Sequence, residues 1–291
     1  MPNQPRVAII VGTHLIYARD ILHGILDYTH QVGHWKLFVE NWWEAAPFPS
    51  LRECDGVIAH LYDESLARQV LVSGIPTVNI SSIRVPGTTI PQVISDNHAV
   101  GRMGARYLID TGLRQLAFCG YPDREFSQQR CQGFGEGVNE ANKEFLFYQG
   151  PQQPYHALSW EQQMDDLREW VRILPTPVGV MGCNDFRARH VVDIARELGL
   201  DVPGEVSVLG VDNDDLVCAG CDPALSSIAL DGYRVGQEAC ALLEKLMQRQ
   251  SPPTEPILVE PSRVFVRAST RVPAGAGVWA GAENTQGAIH S

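Results

Sequence analysis

Apolar positions along this chain follow two alternating rhythms, short continuous runs and stretches spaced i, i+3, i+4, i+7. The clearest alternation lies at residues 178–215. Val178, Val180 and Met181 form a short run, the polar triplet Cys183-Asn184-Asp185 follows, and Ala188, Val191, Val192, Ala195 and Leu198 then mark one face of a helix. Gly199 ends that helix and Val202-Pro203 forbids its continuation, after which Val206, Val208, Leu209 and Val211 read as a buried parallel strand. The stretch predicts a βαβ unit. Ligands of open parallel sheets bind beyond the carboxyl ends of the strands, which here carry Asn184-Asp185 and Asp212-Asn213.

The same alternation runs through the rest of the chain. Strands are predicted at residues 7–11, 36–40, 56–59 and 77–80, with helices whose apolar faces include Ile21, Gly24, Ile25 and Tyr28 and then Leu66 to Leu71; these four strands are expected to pair in parallel. After a Pro/Gly-bearing connection at 82–91, Val93-Ile94-Ser95 ends in the polar pair Asp96-Asn97, and Val100, Met103, Gly104, Tyr107 and Leu108 face one side of a helix that stops at Gly112. The pattern then restarts. Strands at 116–119 and 145–148 flank a helix at 130–141, and Trp160, Met164, Leu167, Val171 and Leu174 mark the helix before residue 178. Residues 222–230 read as an extended connection, Gly236, Ala239, Cys240, Leu243 and Met247 as a helical face, and 257–259 with 264–266 as final strands. Two αβ halves in tandem predict a crevice between two lobes.

Composition narrows the classes. The chain has 291 residues, enough for a large core, and its 44% hydrophobic and 20% charged content excludes a disordered chain or a membrane protein. A formal net charge of -11 without a Lys/Arg cluster opposes binding to phosphate backbones, so DNA contact by these residues is not expected. The N-terminus reads as a first strand and not as a secretory signal. Seven cysteines, an odd number, then suit reduced thiols in the cytoplasm.

Asp96, Arg130, Asn184 and Asp212 fall at strand ends or helix starts around the expected crevice, with Asp185 beside Asn184. Carboxylates that accept from hydroxyl pairs, with Arg and Asn donating in return, suit a neutral polyol such as a sugar. The competing reading is that Asp96, Asn97 and Asp185 merely cap helices. Trp42, next to Trp43 after the second strand, offers an indole face for stacking on a sugar ring, or else core packing. Tyr17 and Arg19 could close the site from the first strand's loop, or simply begin an amphipathic helix. Chemistry of other kinds finds little support. Cys218 and Cys221 have half-zinc-site spacing without a second pair, and Gly133, Gly135 and Gly137 lie in a helical region at G-x-G-x-G spacing, which is not a dinucleotide loop. No nucleophile elbow, phosphate loop or zinc-protease motif is present, and no cofactor or metal is expected.

The motifs VISDN at 93–97, RCQGF at 130–134, CND at 183–185, DVPGEVSVLGVDND at 201–214 and PALSSI at 223–228 together resemble the ligand-binding core of the lactose-repressor and periplasmic sugar-binding superfamily. Tyr17 with Arg19, WKLFVE at 35–40, GVIAH at 56–60, FRARH at 186–190 and ILVEPSRVFVRAST at 257–270 bring it nearer to xylose operon regulators, in which such a core precedes a C-terminal AraC-type helix-turn-helix domain. The resemblance covers residues 6–270. It implies an α/β fold of two Rossmann-like lobes with parallel sheets, joined by three crossovers near Leu113, Leu230 and Glu255. The lobes are then residues 6–113 with 231–254 and residues 114–230 with 255–270, followed by a tail, 271–291, expected to be disordered. It also implies that Asp96, Arg130, Asn184 and Asp212 match effector-binding positions. Two departures stand out: Leu230 occupies a hinge position where many members carry Gln, and no DNA-binding segment is recognisable in the pattern.

The expected function is therefore a sugar-sensing, effector-binding domain of a transcriptional regulator of pentose, foremost xylose, utilisation, signalling by lobe closure and acting as a homodimer. DNA is expected to be touched only through a domain not seen in this pattern, and no membrane is involved. A transport binding protein of the same fold, or a sugar-processing enzyme, is the alternative. Export for the first and a catalytic motif for the second are not apparent.

Overall fold

A computed structural model describes residues 4–41, 51–61, 64–83, 90–148, 150 and 158–271 of the protein. The expected disordered tail lies, except for Arg271, outside the described residues, as do Trp42 and Trp43. The described chain forms two compact units, one from Met1–Asn97 and Leu230–Pro261 and the other from His98–Ala229 and Ser262–Ser291.

The first unit is built on β1 (Arg6–Val11), β2 (Lys36–Asn41), β3 (Gly56–Ala59) and β4 (Thr77–Asn79), a parallel sheet in the order β2-β1-β3-β4. A parallel bridge from Asn79 to Gln92 leads on to β5 (Val93–Ser95), which pairs in parallel with β11 (Ile257–Val259). Alternation along β1 sends Val7, Ile9 and Val11 to one face, against Ile21 and Ile25 of α1 (Ile16–Tyr28) and Val235, Ala239 and Leu243 of α8 (Gly232–Met247). Ala8 and Ile10 go to the other face, against Leu66, Ala67 and Val70 of α2 (Glu64–Ser73). Burial on both faces is why these strands are apolar runs and not polar-apolar alternations.

The second unit holds β6 (Gln115–Cys119), β7 (Phe145–Phe147), β8 (Val178–Gly182), β9 (Val206–Val211), β10 (Ser226–Ala229) and β12 (Arg263–Phe265), ordered β12-β10-β9-β8-β6-β7. All neighbours are parallel except β12, which runs antiparallel to β10 at the edge. Ala117, Val180 and Val208 pack under α5 (Trp160–Arg172) and α6 (Asp185–Glu197), through Leu167, Val171, Val191, Val192 and Ala195. On the other face lie α3 (Asn97–Asp110) and α4 (Glu125–Glu140), and α7 (Asp215–Ala219) is a short helix after β9.

Two boundaries differ from the sequence expectation. The first crossover falls between Asn97 and His98 and not near Leu113, because α3 packs on α4 with almost no space between the backbones. A Cβ on Gly101 would overlap the Arg130 carbonyl oxygen, and one on Gly133 would overlap that of His98. The last crossover falls at Pro261–Ser262 and not near Glu255, because β11 belongs to the sheet of β5. Residues 226–229, expected as an extended connection, form a strand between β9 and β12.

Candidate functional site

In the second unit, β6, β8, β9 and β10 end side by side, and the polar groups expected from the sequence gather there. Arg130 enters from the second turn of α4, and its side chain is only 5% exposed. Its Nη1 donates to the Cys183 carbonyl oxygen just beyond β8, lies 3.7 Å from Asp212 Oδ1, and its guanidinium sits 5.1 Å from the centre of the Phe126 ring. Asn184 caps α6, its Oδ1 accepting from the Arg187 N–H at 2.9 Å. Among the described residues its carboxamide NH2 has no partner, so one half of the side chain holds the helix and the other half remains a donor.

Asp212 follows β9 at φ 106°, and Asn213 follows it at φ 52°. Two successive non-glycine residues in the left-handed half of backbone space cost on the order of 1–3 kcal/mol each unless their surroundings hold them, and such turns cluster at functional sites. Here the holding is visible. The Asp212 N–H donates to Ile228 O at 2.9 Å, the Asn213 N–H to Ser227 Oγ at 2.9 Å, and Arg267 Nη2 to Asn213 Oδ1 at 2.8 Å. The Asp212 carboxylate keeps a quarter of its surface exposed. Burial raises its pKa above the ordinary carboxylate range, Arg130 opposes that rise, and Asp214 adds to it.

Asp185 takes a place that its sequence position did not reveal. At 1% exposure it is turned away from solvent, at the first turn of α6, and faces the loop after β9. Oδ1 accepts from Ser227 Oγ at 2.5 Å, and Oδ2 accepts from the Asp214 N–H at 2.7 Å and from Cys218 Sγ at 3.5 Å. Both oxygens are thus engaged, and direct contact with a ligand, the expected role, does not fit this geometry. Burial first, then the Asp212 charge, raise its pKa.

The first unit carries a second set of strand-end groups. Ser95 Oγ donates to Tyr17 Oη at 2.9 Å, which puts the phenol at the end of β5 beside Asp96, whose N–H donates to Val259 O at 2.8 Å. Arg19 is turned back onto its own loop, with Nη1 donating to Thr13 O at 3.0 Å and His14 O at 3.3 Å. His60, after β3, was not anticipated; burial and then the neighbouring His14 push its pKa down to about 4. Sequence reading also missed Ser227, Asp214 and Arg267. The hydroxyl pair in the SSI stretch was the available signal for the first of these.

The fold and these strand-end groups define a periplasmic-binding-protein-like effector domain of two parallel αβ units. The chain belongs to the periplasmic binding protein-like domain family, whose model matches residues 105–270. It is 27% identical over 274 residues to the xylose operon regulatory protein of Escherichia coli (strain K12), an alignment that takes in 91% of this chain and 69% of that protein. It is 31% identical to the HTH-type transcriptional repressor PurR of Glaesserella parasuis, over 86% of this chain and 75% of the repressor. The solved structure of the xylose-binding transcription activator xylR superposes with a TM-score of 0.79 at 25% identity, covering 96% of this chain and 73% of the activator.

Proposed function

We propose that this chain is the sugar-sensing, effector-binding part of a transcriptional regulator, with a pentose, xylose foremost, as its ligand. The observation that carries the reading is the Arg130–Asp212–Asn184 group: a buried cation reaching in from α4, a partly exposed carboxylate on a pinned left-handed turn after β9, and, just after β8, a carboxamide whose NH2 has no partner among the described residues. A sugar hydroxyl both donates and accepts, so a carboxylate takes its proton while Arg and Asn donate to its oxygen. The names of the relatives support the same class of ligand and output. We further propose sugar-binding roles for Asp96 and Tyr17 of the first unit, with Trp42 as a stacking ring and Arg19 as the support of its loop.

Sugar binding would favour one of two conformations of the chain, a population shift passed on to transcription in a homodimer. Seven cysteines without a disulfide suit the cytoplasm. No helix among the described residues is long and apolar enough to cross a membrane. Titration calorimetry with xylose, ribose, arabinose, glucose and cellobiose tests the ligand. Saturable binding of a pentose without turnover is the expected result, whereas consumption of the sugar or indifference to the whole panel overturns the reading.

A further inference from the structure

We infer that Asp185 is a positioning residue, whose buried carboxylate clips the left-handed turn at Asp212-Asn213 to the helix start that carries Asn184. The inference rests on the sugar-binding reading for its functional consequence, but its geometry stands apart. Three successive backbone N–H groups follow β9. That of Asp212 is held by β10, that of Asn213 by Ser227 Oγ and that of Asp214 by Asp185 Oδ2. Ser227 Oγ in turn donates to Asp185 Oδ1, so two of the three N–H groups end on Asp185, one directly and one through a hydroxyl. A third donor, Cys218 Sγ, reaches the same carboxylate from α7. Every donor that meets Asp185 therefore comes from a segment next to the Asp212 turn, and Asp185 itself is one residue from Asn184.

Gly210 is a second, independent sign that this placement is specific. A Cβ there would overlap Asp185 Oδ1, so a side chain at position 210 and the clip exclude each other. The turn needs such a clip because neither Asp212 nor Asn213 is glycine, and an unheld turn would relax to negative φ and swing the Asp212 carboxylate away from Arg130. Removing the carboxylate leaves the Asp214 N–H and the Ser227 hydroxyl without their acceptor. The isosteric amide of Asp185→Asn can still accept from Asp214 through its oxygen and donate to Ser227 through its nitrogen.

The test compares Asp185→Ala, Asp185→Asn, Ser227→Ala and Gly210→Ala in the full chain by two measurements. Hydrogen exchange over residues 207–217 reads the turn without any sugar. Asp185→Ala and Gly210→Ala are expected to speed exchange at residues 213–214 about tenfold or more while β9 stays protected, and Asp185→Asn to stay within about threefold of the parent. Calorimetry with the pentose that binds the parent is expected to give about tenfold weaker affinity for Asp185→Ala, with Asp185→Asn close to the parent. Should Asp185→Ala fail to fold, Ser227→Ala reads the same clip through the Asn213 N–H. Unchanged exchange at 213–214 in Ser227→Ala and Gly210→Ala overturns the inference, as does a loss in Asp185→Asn equal to that in Asp185→Ala. A parent that binds no sugar overturns the sugar reading alone, since the exchange data still judge the clip.

Discussion

The two units repeat one αβ alternation but finish their strands with different chemistry. In the first, the groups at the ends of β1, β3 and β5 are a phenol, imidazoles, a serine hydroxyl and the half-buried Asp96, and the one arginine that the sequence placed there is folded back onto loop carbonyls. In the second, an arginine at 5% exposure faces a carboxylate on a left-handed turn, and a further carboxylate is buried behind them. A hydroxyl, an imidazole or a half-exposed carboxylate can lose a partner at little cost, whereas a charge as buried as that of Arg130 cannot. The second unit should therefore be the sensitive one, and the comparison can be tested by paired substitutions.

Arg130→Ala is expected to have the largest effect. It removes the counter-charge of Asp212 and the donor to Cys183 O, for a stability loss of about 3–5 kcal/mol in urea denaturation. Arg19→Ala, its counterpart in the first unit, should cost no more than about 1.5 kcal/mol. Next comes Asp212→Ala, which leaves Arg130 its bond to Cys183 O and so should cost less stability than Arg130→Ala, and which should weaken pentose binding by about 1.5–3 kcal/mol in calorimetry. Unchanged affinity would remove Asp212 from the site. Tyr17→Phe gives up one hydroxyl paired with Ser95, and about 0.5–1.5 kcal/mol of stability or affinity should go with it.

The smallest effect is a pair of opposed pH slopes. Asp185 and Asp212 have raised pKa values in the folded protein, so between the ordinary carboxylate range and the raised values the folded state holds more protons than the unfolded chain. Their contribution to stability therefore falls as pH rises through that interval. His60, lowered from 6.5 to about 4, does the reverse: its contribution is complete above pH 6.5 and is lost as pH falls toward 4. Melting curves against pH should show Asp185→Asn gaining on the parent as pH rises, and His60→Gln gaining on it between pH 6.5 and 4.

The difference between the units also explains what could be read in the sequence. The unit at 178–211 was legible throughout, because strands buried on both faces are apolar runs and the intervening helix has a regular apolar face. β10 was not. Its Ser226 and Ser227 interrupt the apolar run, and the groups that satisfy them, Ser269, Thr270 and Asp185, lie roughly 40 residues away along the chain. Asp185 was recognised as a polar residue at a helix start, but which way its side chain turns depends on the space at Gly210, and that is a property of the packed sheet. The glycines at 133 and 137 were excluded as a nucleotide loop by their spacing. Their use against His98 and Ala105, which binds α3 to α4, also moved the first crossover to residue 97.

Because the chain returns to the first unit at Leu230 and to the second at Ser262, neither unit is one continuous piece of sequence. During synthesis residues 1–97 leave the ribosome without Val235, Ala239 and Leu243 of α8, which fill their core, and without β11, which covers β5. Residues 98–229 must likewise wait for Ser269 and Thr270, whose hydroxyls meet Ser226 and Tyr107. Residues 257–270 thus complete both units, so a nascent chain stalled before residue 257 should expose unfinished sheet edges and depend on chaperones. It also follows that neither unit can be produced as a simple terminal deletion; each would need a spliced or circularly permuted gene.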